Sequence, residues 1–167
     1  MTRIYRVVCG CVLCFAAMTL AANKPDYSGT YTAQQKDAKA GTSKPPVIRV
    51  TQTDANIEIS RTEGEKTVTN RLPLDGSEVD YFTRSGLRGK GRVQFKGEDL
   101  LIEWSVITLG GGDSKGLRLH TKEKWKLSTD KRILTIKSEV DFPDFPPSVT
   151  AAALPNNPST ERYERSE

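Results

Sequence analysis

The chain has 167 residues, 36% of them hydrophobic and 28% charged, with a formal net charge of +4. That length builds one hydrophobic core rather than two, and so small a charge excess gives no footing for nucleic-acid binding. All three cysteines, Cys9, Cys11 and Cys14, lie close to the N-terminus, which leaves the rest of the chain no disulfide, thiol nucleophile or thiolate metal ligand.

Residues 1–6 are short and basic, with Arg3 and Arg6, and an apolar run over residues 7–22 ends in Thr19-Leu20-Ala21-Ala22. This is the layout of a secretory signal peptide cleaved after Ala21 or Ala22. The run is shorter than the roughly 20 residues that a membrane-crossing helix needs, so a permanent anchor is the weaker reading. Lipidation of Cys11 or Cys14 is also weaker: Leu13 is bulky where a small residue is wanted, and Cys11 leaves too short an apolar run to insert. The expected location is the bacterial periplasm or the cell exterior. Loss of Arg3 and Arg6 would bring the charge to +2.

Short runs with period-two alternation, punctuated by Gly, Asp, Asn and Lys clusters, predict strands at residues 27–32, 47–53, 56–61, 67–72, 79–83, 91–96, 100–108, 117–128 and 133–140. The turns at 54–55, 62–66, 75–77, 97–99 and 129–132 are short enough for antiparallel hairpins. Residues 33–46 form the one long connection of the body, polar and ending in Pro45-Pro46, with room for a short helix only within 33–40. Past Asp141, Phe142-Pro143-Asp144-Phe145-Pro146-Pro147 reads as a stiff exit whose two phenylalanines can fold back over a barrel end. Residues 156–167 are polar and expected to be disordered. The division is therefore a signal peptide at 1–22, a β-barrel domain at 23–141 and a Pro-rich, disordered tail at 142–167.

Eight or nine antiparallel strands in sequence make an all-β meander, which hides its edges most easily by closing into a small barrel. Alternation turns inward Ile48, Val50, Ile57, Ile59, Val68, Leu72, Val79, Tyr81, Val93 and Phe95. From the later strands it adds Leu100, Ile102, Trp104, Val106, Leu117, Leu119, Trp125, Leu127, Leu134, Ile136 and Val140. A barrel of this size is either filled by side chains or holds one small ligand, and the alternation is the same in both cases.

The most regular strand, 117–128, carries Thr121, Glu123 and Trp125 on its inward face and Arg118, His120, Lys122, Lys124 and Lys126 on its outward face. If the Gly-rich turn at 110–116 folds symmetrically, Ile102 stands opposite Glu123 and Trp104 opposite Thr121. The tight turn at Asp130-Lys131 sets Ser138 opposite Glu123. The candidate ligand-binding set is therefore Tyr81, Trp104 and Trp125 as wall, with Thr121, Glu123 and Ser138 as polar end. In the plainer reading, Glu123 lies near an open end and reaches water or a nearby Arg or Lys, since a bare buried carboxylate is costly. The outward basic face either docks an acidic envelope partner or is a solvated face relieved by Glu103 and Glu139, both placed opposite Lys122 by the same registers. His120 is the only histidine, and no nucleophile motif or group of metal ligands accompanies it. Gly110-Gly111-Gly112 lacks the helix and the Lys-Ser/Thr of a phosphate loop. No catalysis, cofactor, metal or nucleic-acid partner is expected, and the protein is read as a monomer.

Asp26-Tyr27-Ser28-Gly29-Thr30-Tyr31 resembles the D-x-S-G-x-[WY] opening of small exported bacterial domains with lipocalin-like barrels. Trp125-Lys126-Leu127-Ser128-Thr129-Asp130, followed by Leu134-Thr135-Ile136, resembles their late W-x-L-S-x-D…L-T-I hairpin. Gly29-Thr30-Tyr31 is also similar to the G-x-W of true lipocalins, with Tyr in place of Trp and no evident match for the arginine that partners that ring. The resemblance spans residues 26–140 and implies a lipocalin-like barrel with a capacity for apolar ligands. The function it favours is non-catalytic binding of a small apolar or amphipathic molecule, such as a lipid. The alternative is a closed barrel that docks an acidic partner through Arg118, Lys122, Lys124 and Lys126. Mass spectrometry of the protein recovered from its host's envelope should find a chain beginning at Ala22 or Asn23; an intact Met1 would refute cleavage.

Overall fold

The computed structural model describes residues 24–34, 44–108, 116–146, 148 and 157–166. The signal segment with Cys9, Cys11 and Cys14, the helix room within 33–40 and most of the turn at 110–116 lie outside the described residues. Ten strands follow in order: β1 (Gly29–Ala33), β2 (Val47–Gln52), β3 (Asn56–Glu63), β4 (Lys66–Pro73), β5 (Val79–Phe82), β6 (Arg88–Lys96), β7 (Asp99–Thr108), β8 (Leu117–Leu127), β9 (Ile133–Asp141) and β10 (Ser159–Ser166). Nine match the runs of alternation. The largest boundary shift is in β6, which opens before Gly91 because a Cβ at Gly91 would come within 2.9 Å of the Tyr81 ring. That glycine is not a break but a place where an aromatic ring lies against the backbone.

The tenth strand corrects the expected tail. Residues 159–166 are not disordered: β10 fills the gap between β1 and β9, pairing Tyr163 with both Ala33 and Leu134 in antiparallel register. The reason lies in the backbone. Without β10 the meander would end in two facing unpaired edges, and a strand satisfies both ladders whatever its side chains. One apolar residue suffices to seat it: Tyr163 is 1% exposed. Of the two phenylalanines of the exit, Phe142 is buried as expected, whereas Phe145 stays exposed.

The sheet order is β4-β3-β2-β1-β10-β9-β8-β7-β6-β5, an antiparallel meander curled into a nearly closed barrel. Its two outer strands, β4 and β5, meet without a ladder. Asn70 bridges them instead, its Nδ2 donating to the Phe82 carbonyl at 2.8 Å and its Oδ1 accepting from the Phe82 N–H at 2.7 Å. A side-chain amide has the donor and acceptor of a peptide, so one buried residue substitutes for a pair of ladder bonds. Lys66 Nζ, donating to the Ser85 carbonyl at 2.5 Å, adds a second link along this seam.

The barrel's ends differ. At one end the turns are short and the N-terminal segment packs across them. Tyr27, fully buried, shares its hydroxyl between the carbonyls of Glu98 and Trp125, each at 2.9 Å, and accepts the Tyr31 hydroxyl on its own carbonyl. Arg165 lies over the Tyr31 ring at 5.9 Å. Gly29 is required there: its φ is +152°, and a Cβ would stand 2.8 Å from Arg165 Nε. The connections 34–46, 83–87, 109–116 and 142–158 all leave from the opposite end. Replacing Asn70 by Ala should cost about 1–3 kcal/mol of stability by leaving the two Phe82 backbone groups without partners. Urea unfolding checks this, and an unchanged midpoint would show that the seam closes without Asn70.

Candidate functional site

The registers anticipated around Glu123 are those of the structure: Ile102 pairs with Glu123, Trp104 with Thr121, and Ser138 with Glu123. Glu123 is 4% exposed and thus fully inside the barrel. Its partner comes from the opposite wall. Arg61, on β3, donates from Nη1 to Oε1 at 2.9 Å and from Nη2 to Oε2 at 2.5 Å, a bidentate pair between two buried residues. Two indoles complete the cluster: Trp125 Nε1 donates to Oε2 at 2.8 Å, and Trp104 Nε1 approaches Oε1 at 3.4 Å. The Arg61 guanidinium also lies over the Trp125 ring at 5.4 Å, and Tyr81 stacks on Trp104 with ring centres 5.5 Å apart.

The electrostatics follow from this geometry. Burial pushes the Glu123 carboxyl up, but the Arg61 charge and the hydrogen bonds from Arg61 and Trp125 outweigh it, and the net direction is below the ordinary 4.5. Burial likewise favours neutral Arg61, and Glu123 more than reverses that, so both groups stay charged. The Tyr81 hydroxyl, buried beside them, is pushed up to about 12.

Of the six residues expected to form a site, Tyr81, Trp104, Glu123 and Trp125 are joined by hydrogen bonds or ring contacts. Thr121 and Ser138 stand beside them in register, but no hydrogen bond among the described residues ties either side chain to Glu123. The Thr121 hydroxyl and the Arg61 Nε are both buried without a partner. Arg61 was legible in principle, because it shares the inward parity of Ile57 and Ile59 on the same strand.

A second cluster lies toward the long connections. Arg84, in the β5–β6 loop, pairs with Glu161 of β10 at 2.8 Å, and Glu161 accepts the Tyr163 hydroxyl at 2.6 Å. Burial raises the Glu161 carboxyl, but these two hydrogen bonds bring it below its ordinary value. Among the described residues, the space where Arg61, Arg84, Tyr163 and Ile48 meet amounts to about 10 Å³, room for one water. Around it the core is lined by buried side chains from every wall of the barrel. On the outer face, Lys122 stands between Glu103 and Glu139, and Lys124 Nζ lies 2.7 Å from Asp99. Glu103, opposite Lys122, is itself paired with Arg92, so Lys124 is the lysine of the basic row with an acid partner among the described residues.

No family model and no curated protein matches the sequence. Among solved structures, the chain is similar in fold to one described as "REP1-NXSQ fatty acid transporter", at TM-score 0.56 and 12% identity over 85% of this chain and 97% of that one. At that identity the likeness establishes the barrel alone.

Glu123→Gln should cost about 3–5 kcal/mol, because it strands a buried guanidinium. An Arg61→Met/Glu123→Leu double variant should recover most of the loss, and calorimetry of both compares the two. Since the folded-state pKa of Glu123 is depressed, its contribution is fully present above about 4.5 and is lost as pH falls through the folded value. The double variant should therefore lose less stability than the parent on acidification.

Proposed function

We propose that this is an exported carrier of one amphipathic molecule with an oxygen-rich acidic head, of the fatty-acid class. The observation that carries the reading is a pair of unsatisfied groups inside the barrel: Arg61 Nε and the Thr121 hydroxyl, both buried, both in the cluster around Glu123. Each is a hydrogen-bond donor without an acceptor, and an acyl head supplies acceptors. Arg84 adds a second cation on the side from which a ligand would enter.

The apolar tail has a surface to lie on. Val106 pairs with Leu119, and Thr121 with Val140, so three aliphatic residues stand next to Thr121 on the inner wall toward the long connections. In this reading the ligand lies among the buried side chains that line the interior. The fatty acid transporter of similar fold supports a barrel as a suitable frame.

The test is native mass spectrometry on protein from its host's envelope, followed by solvent extraction, alongside titration with a fluorescent fatty acid. The expected result is a discrete co-purifying acyl mass and one binding event, weakened at least about tenfold in the Arg61→Met/Glu123→Leu variant, which removes charge-assisted hydrogen bonds. A clean apo mass together with no probe binding would overturn the reading.

A further inference from the structure

The outer face carries a second arrangement that does not depend on the barrel interior. The registers of five adjacent strands align one transverse row: Asp80 on β5, Lys90 on β6, Ser105 on β7, His120 on β8 and Asp141 on β9. Each is the direct cross-strand neighbour of the next. In such pairs Cβ atoms stand about 4.5–5.5 Å apart, within reach of side-chain chemistry. His120 Nδ1 lies 3.4 Å from Asp141 Oδ2, and Lys90 Nζ lies 3.0 Å from Asp80 Oδ1. Ser105 thus stands in register between a histidine and a lysine, each of which has a carboxylate on its far side, Asp141 and Asp80.

We infer that Ser105, His120 and Asp141 form a serine-nucleophile site for hydrolysis of short-chain carboxylic esters, with Lys90 stabilising the oxyanion. With Nδ1 turned to β9, Nε2 is the nitrogen His120 has left for the β7 side, where Ser105 stands. No hydrogen bond among the described residues occupies the Ser105 hydroxyl, and a base–nucleophile contact commonly tightens only with substrate in place. Ser105, His120, Lys90 and Gly91 line one open surface cleft of about 230 Å³, room for a small ester.

The chemistry closes on these residues. Ser105 Oγ bonds to the acyl carbon as its proton passes to His120 Nε2, and Lys90 turns from Asp80 to the oxygen that gains charge. Collapse breaks the bond to the alcohol oxygen, which takes the proton from His120. Water then adds to the acyl-serine by the same proton route, releasing the acid and restoring Ser105. Asp141 is a positioning residue here: it fixes the imidazole tautomer and stabilises the imidazolium.

The experiment uses the whole mature chain with p-nitrophenyl acetate as substrate and a fluorophosphonate as covalent probe. Probe mass should appear on the peptide carrying Ser105. Ser105→Ala should abolish labelling and bring hydrolysis to background, and His120→Gln should lower kcat/KM by about 10²–10⁴-fold. Asp141→Asn should lower kcat while leaving KM in place, which a merely structural role would not do. All three side chains lie on the outer face, so circular dichroism should be unchanged and loss of activity cannot be ascribed to unfolding. Labelling elsewhere, no labelling, or hydrolysis by Ser105→Ala at the parent's rate would each overturn the assignment. None of these outcomes bears on the carrier reading, which concerns the opposite face of the same strands.

Discussion

The Arg61–Glu123 pair is the constraint around which the barrel is arranged. The two residues sit on β3 and β8, five places apart in the sheet order, so the pair spans the interior from one wall to the other. Apolar contacts tolerate sliding, but a bidentate guanidinium–carboxylate contact does not. If β8 slipped by one residue, Glu123 would turn to solvent and a lysine would turn inward against Arg61. Burying both charges is expensive, and an apolar pair of similar volume can be equally stable. What the ion pair secures is one register among several that hydrophobicity alone would permit. Trp125 and Trp104 extend that precision outward, since each indole N–H points at the same carboxylate.

Around this brace the two ends of the barrel are chemically unlike. The short-turn end is sealed by Tyr27, Tyr31 and Arg165, whose polar atoms find backbone partners. All three large apolar residues that stay exposed among the described residues, Phe82, Ile107 and Phe145, belong to the other end. The partnerless donors of Arg61 and Thr121 lie on the path from that end toward the centre. A barrel built only for stability has little reason to keep such groups, since each unsatisfied donor costs more than an aliphatic replacement would.

Much of this was legible in the residues. The alternation of residues 117–128, read with two turns, fixes which side chains meet across β7, β8 and β9, and the row through Ser105, His120 and Asp141 is a consequence of those same registers. Parity also marks Arg61 as inward, although a charged residue at a strand end invites the opposite assumption. Two features were not legible. β10 has a single buried side chain, so hydrophobic periodicity gives it no signal; its place is decided by open backbone ladders on β1 and β9, which exist only once the rest has folded. Asn70 does backbone work with a side chain: the alternation that turns Val68 and Leu72 inward marks it as inward too, but nothing local to residue 70 shows that its amide closes a seam with Phe82. Whether the lumen is full depends on how far the walls stand apart, and no one-dimensional pattern encodes that distance.

The position of β10 also governs when the protein can fold. β1 has β2 on one side, but its other neighbour is β10, the last strand among the described residues; the hydroxyls of Thr32 and Ser166, 134 residues apart, meet across that junction. Contacts of such span form late, because the intervening chain must first be ordered. A polypeptide emerging from a ribosome therefore cannot join β1 to β9 until β10 is free. Up to that moment β1 and β9 present open edges, and a stop codon before Ser159 would remove the closing strand rather than a dispensable end.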